Sequence, residues 1–189
     1  MTKGDRRCGT IGAKHVGAMA LTLATLTTAG CAAVANEDTQ RDSPYTVKSV
    51  EDARQETREL SSMLLDLTEI QGQVSEPGPG IDLCEEDPDR ERLYTVYHAW
   101  SVRGVSAETL ETGMAQLRDE LINRGWEVVE DGELNNADRT PRVLLENPDI
   151  EYAVNVELPG RTRGEPRLSV NLASACFSTP EGESPRGEF

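Results

Sequence analysis

Histidine is almost missing from this chain: two of its 189 residues are histidine, and only His98 lies beyond the N-terminal stretch. A Ser-His-Asp triad would have to run through His98, and no Gly-x-Ser-x-Gly turn supplies the nucleophile. Neither a Gly-rich phosphate loop nor a His-Glu-x-x-His pair occurs. Aromatic residues make up 4% of the chain, which leaves few rings on which a sugar could stack. Positive charge is also scarce, 19 Lys and Arg against 34 Asp and Glu, for a formal net charge of −15. Such a chain repels phosphate backbones and anionic head groups, so nucleic acid is excluded as a partner and the surface of a bilayer is not a resting place. The longest apolar run, residues 16–28, falls well short of the ~20 residues a membrane-spanning helix needs.

The N-terminus carries a recognisable layout. Lys3, Arg6, Arg7 and Lys14 stand against one acid, Asp5, and precede the uncharged stretch 16–28. That is the charged-then-apolar order of a secretory signal. The stretch ends in Leu26-Thr27-Thr28-Ala29-Gly30-Cys31. Small residues before a Cys resemble the lipobox of bacterial lipoproteins, although Thr28 stands where an aliphatic residue is commoner. The resemblance implies that the thiol of Cys31 receives a lipid and that residues 1–30 are removed as signal peptide. Ala33-Val34-Ala35 is a rival site; cleavage after Ala35 would release a soluble secreted protein.

Loss of residues 1–30 removes four bases and one acid, which takes the formal charge from −15 to −18. The remainder has the length of one domain. Residues 31–48 are small, polar and unperiodic and read as a flexible tether; residues 178–189 read as a disordered acidic tail. Between them, 49–177 is the expected domain, with a long Pro-Gly and acidic loop over 71–92.

Val50, Ala53, Thr57, Leu60, Leu64 and Leu67 recur at steps of three and four, the stripe of a helix over about 50–69. Ser49 and Asp52 offer its capping box. Residues 93–102 read as a strand. Ser106 caps a second helix whose apolar positions are Ala107, Leu110, Met114, Leu117 and Leu121, with Gly125 left-handed behind it. Short strands are expected at 126–129, 142–146, 152–158 and 168–172, the third alternating cleanly so that one face is buried. The order α-β-α-β-β-β-β favours an α+β two-layer sandwich: a mainly antiparallel sheet of four to five strands, two helices on one face, and at most one parallel pair from the strand-helix-strand step.

Cys8 leaves with the signal and Cys31 takes lipid, which leaves Cys84 and Cys176 in an exported chain where disulfides persist. They are expected to pair, the alternative being two buried thiols. Closing so long a loop stabilises by about 4 kcal/mol in the chain-entropy model. With those sulfurs consumed and one histidine left, no transition-metal site and no cofactor is expected. Glu85, Glu86, Asp87 and Asp89 lack the spacing of an EF-hand and read as a solvated loop, not a calcium site. Trp100 and Trp126 read as core anchors and His98 as a structural or surface residue.

The Thr-Ala-Gly-Cys31 junction, Ala99-Trp100, Arg124-Gly125-Trp126 and Ser174-Ala175-Cys176 together resemble small uncharacterised lipoproteins of high-GC Gram-positive bacteria. The Arg-over-Lys bias, sixteen to three, suits such a genome. The resemblance implies a lipid-anchored protein on the extracytoplasmic face of the cell membrane and brings no activity with it. The expected role is a non-enzymatic binding or accessory module for an envelope protein partner. The alternatives are a small-ligand or cation-binding lipoprotein and a carboxylate-based envelope hydrolase.

Overall fold

The structure is a computed structural model that describes residues 44–188 except 76. The expected signal peptide, Cys31 and the rival site at Ala35 therefore lie outside the described residues.

Both expected helices form. α1 spans Val50–Thr68; the Ser49 side chain accepts from the backbone N–H of Asp52 at 3.1 Å. α2 spans Ala107–Asn123; Ser106 accepts from the N–H of Thr109 at 3.1 Å. Each hydroxyl satisfies one of the amide donors a helix start leaves unpaired. Gly125 takes the left-handed backbone (φ +87°) that closes α2. No helix among the described residues is long and apolar enough to cross a membrane.

The sheet is larger than four to five strands: it has eight. They are β1 Gln73–Val74, β2 Gly80–Leu83, β3 Leu93–Arg103, β4 Glu127–Glu133, β5 Pro141–Asn147, β6 Tyr152–Glu157, β7 Arg167–Ser174 and β8 Phe177–Ser178. The element order is therefore α-β-β-β-α-β-β-β-β-β. β1 and β2 lie inside the stretch expected to be loop, and β8 straddles the start of the expected tail. Such strands are too short to show an alternation, and their neighbour β3 carries the pattern for them.

The main path runs β1-β3-β7-β6-β5-β4, and β2 and β8 also pair with β3. Every ladder is antiparallel, so the parallel pair allowed by the strand-helix-strand step does not form. β3 and β4 sit apart in the sheet, and the single parallel contact is the isolated bridge Val47↔Ser178. β8 resumes the pairing of β7 one residue out of register: Tyr97 faces Ala173 and Tyr94 faces Phe177. That slip is a bulge, and Cys176 sits in it.

Alternation along the strands separates two faces. Tyr94, Val96, Trp100 and Val102 of β3, Leu168, Val170 and Leu172 of β7, and Tyr152, Val154 and Val156 of β6 are buried. They join Ala53, Leu64, Leu110, Leu117 and Leu121 of the helices in one core. Trp126 is 4% exposed and anchors the turn into β4. The helices pack closely at Gly113, where a Cβ would stand 2.5 Å from Ile70 and 2.9 Å from the Thr68 carbonyl.

Candidate functional site

Of the residues expected to matter, Cys84 and Cys176 are joined in a disulfide with Cα atoms 6.3 Å apart. It links the end of β2 to the bulge between β7 and β8, both neighbours of β3. Glu86 lies beside the two sulfurs. Bonded sulfurs cannot act as thiolate ligands, so the trio is not a metal site.

His98 makes the one arrangement that looks catalytic. Its Nδ1 lies 2.8 Å from Ser61 Oγ, and its Nε2 lies 2.6 Å from the carbonyl oxygen of Pro77. The carbonyl can only accept, so Nε2 donates to it, and Nδ1 shares a hydrogen bond with the serine hydroxyl. A serine–base pair is present, but Ser61 is 4% exposed and buried between α1 and the sheet, so no substrate reaches it. The trio ties α1, β3 and the Pro-Gly segment together.

The acidic loop is likewise occupied with its own backbone. Asp87 accepts from the N–H groups of Glu91 at 2.9 Å, Arg92 at 2.7 Å and Leu93 at 3.0 Å. These bonds, those from Arg92 and Leu93 foremost, hold its carboxyl down to about pH 2. Arg186 donates at 2.8 Å to the carbonyl oxygen of Arg90 and also to that of Asp89. Arg54 bonds Glu188. Residues 178–188, expected as a free tail, are thus laid on the domain. Their polar groups find partners even though the segment has little to bury.

A second cluster stands where the chain comes in. The Tyr94 hydroxyl donates to the carbonyl oxygens of Lys48 and Ser49, each at 2.9 Å. The Lys48 ammonium pairs with Glu56 and lies 4.2 Å from the centre of the Phe177 ring. Phe177 meets Tyr94 and Tyr152 edge-on. Tyr152 and Thr57 share a hydrogen bond of 3.0 Å. Burial pushes both tyrosine hydroxyls above their usual titration range. Residues 46–48, expected as the end of the tether, are bonded to β8 through the Lys48 N–H to Ser178 and the Ser178 N–H to Thr46, each at 2.9 Å.

The sheet's other face is the site that sequence reasoning missed. Register places Arg103 opposite Arg167, Ser101 opposite Ser169, and Ala99 opposite Asn171. β6 extends these rows with Asn155 opposite Asn171 and Glu157 opposite Ser169, and β5 adds Arg142 opposite Glu157. Ser75 reaches over from beyond β1, its hydroxyl accepting from the Ser101 N–H at 2.8 Å. All of these but Arg103 and Arg142 line an open depression of about 430 Å³. Arg142 bonds Asn155 Oδ1 at 2.7 Å and reaches Glu130 at 3.2 Å and Glu157 at 4.0 Å. The polar alternation on β6 was the available signal; it marked one side as unburied without saying which other strands supplied it.

Comparison with protein-family models, with curated proteins and with solved structures yields no match to this chain.

Proposed function

We propose that this is an exported lipoprotein, anchored through Cys31 to the extracytoplasmic face of the cell membrane, and that its domain is a non-enzymatic binding module for a partner in the envelope. One observation supports this most: the helices cover one face of the sheet only, and the other face presents an ordered polar surface with no reacting group at its centre. The nearest thing to a catalytic pair, Ser61 with His98, is buried. The acidic charge fits a lipid tether, since nothing on the domain would hold it to an anionic surface.

The test has two arms. Cys31→Ala should move the protein from the membrane fraction to the soluble fraction; continued membrane association would refute the anchor, and release of the unaltered chain beginning at Asn36 would favour the secreted alternative. Affinity capture from membranes with the intact protein should recover a specific partner that an Asn171→Arg variant no longer holds. Recovery that is indifferent to Asn171 would refute the open face as the binding surface.

A further inference from the structure

Beside the depression stands a feature that folding alone does not explain. Arg103 and Arg167 are directly opposite one another on neighbouring strands, and both are exposed. Like charges in that position repel. The chain has 34 acids with which to neutralise them, yet among the described residues neither guanidinium has a carboxylate partner. Arg167 Nε meets only Ser169 Oγ, at 3.3 Å. The acid of the depression, Glu157, is already held by Asn155 Nδ2 at 2.9 Å.

We propose that the Arg103–Arg167 pair and the adjoining depression bind a short saccharide bearing a single acidic group, carboxylate or phosphate; this rests on the open face being the binding surface. Two forked donors side by side suit the paired oxygens of such a group. Beside Arg167, half of the lining is hydroxyls and amides, from Ser75, Ser101, Ser169, Asn155 and Asn171. A protein partner would want a larger apolar, aromatic centre than Ala99, Trp100 and Val170 provide. Serines and asparagines suit a hydroxyl-rich ligand instead. A volume of about 430 Å³ is at the small end of ligand sites. The net charge of −15 repels polyanions at long range, so one acidic group is the favoured number.

The test is a ¹⁵N NMR titration of the full chain with glucuronate, glucose 6-phosphate, glucose and inorganic phosphate. One or both acidic sugars should shift the amides of Arg167, Ser169 and Asn171, and which of them binds tells carboxylate from phosphate. Glucose and inorganic phosphate should each bind at least tenfold more weakly. Arg103→Gln and Arg167→Gln should each weaken binding about tenfold or more, with Arg167→Lys partly restoring it. Both positions are exposed, so thermal unfolding serves to confirm that the variants fold. Absence of shifts with both acidic sugars would overturn the proposal. So would equal binding of glucose or of phosphate alone, or affinity unchanged by the Arg→Gln variants. If the acidic sugars fail while membrane capture still depends on Asn171, the saccharide is refuted and the binding module stands. Failure of both refutes both.

Discussion

The two faces of this sheet are built from the same strands and yet follow different rules. On the helix side, β3, β7 and β6 present Val, Leu, Trp and Tyr, nearly all of them buried. One residue along, the same strands present Ser, Asn, Arg and Ala to solvent. The first face is explained by transfer of apolar surface out of water. Nothing about folding requires the second, which includes a repulsive arginine pair. The difference shows where stability was the constraint and where something else was.

The largest effect should come from the link that serves both faces. Cys84→Ala with Cys176→Ala should lower unfolding free energy by about 4 kcal/mol in urea titrations, because the bond closes a separation of 92 residues. The faces should then part company on single truncations. Leu172→Ala leaves a cavity under the helices and should cost about 3 kcal/mol. Its neighbour Asn171→Ala should change stability by under about 0.5 kcal/mol. Equal costs would mean that the two faces contribute alike to folding. On the covered side, Gly113→Ala sharpens it further. Alanine gains about 1 kcal/mol in helix propensity, but the Cβ collides with Ile70 and the Thr68 carbonyl, so a net loss of about 1–2 kcal/mol is expected on denaturation. On the open side the sign should reverse. Arg167→Gln relieves the repulsion from Arg103 and should raise the melting temperature by about 1–2 °C.

The smallest effect concerns pH. The Asp87 carboxyl is lowered from its ordinary value of 3.8 to about 2 in the folded protein. A lowered carboxyl stabilises the fold fully above its unfolded value and loses that contribution as pH falls through the folded one. The stability gap between the protein and an Asp87→Asn variant should be constant above about pH 4 and close toward pH 2, as followed by circular dichroism. A gap that widens on acidification would contradict the backbone bonds assigned to Asp87.

Legibility in the sequence divides along the same line. α1, α2, β6 and β7 bury one side of a regular pattern, so their periodicity reports them. β1, β2 and β8 have two to four residues each and sit among Pro, Gly and acids, where no alternation can develop. β4 extends to Glu133 through residues exposed on both sides of a sheet edge, a place where acidic side chains are tolerated and discourage pairing with another chain. The disulfide was readable from cysteine arithmetic. The arginine pair was not, because Arg103 closes β3 and Arg167 opens β7, and only the register makes them neighbours.

β3 carries two of these features at opposite ends. Tyr94, near its start, holds the carbonyl oxygens of Lys48 and Ser49, where the chain arrives from the N-terminus. Arg103 is its last residue. A pull on the chain at Lys48 would pass covalently into α1, and the Tyr94 bonds would share part of it with β3. Strands β1 and β2 flank it on one side and β7 and β8 on the other, so sliding it out would mean breaking those ladders together in shear. β3 is thereby the strand least easily withdrawn from the sheet.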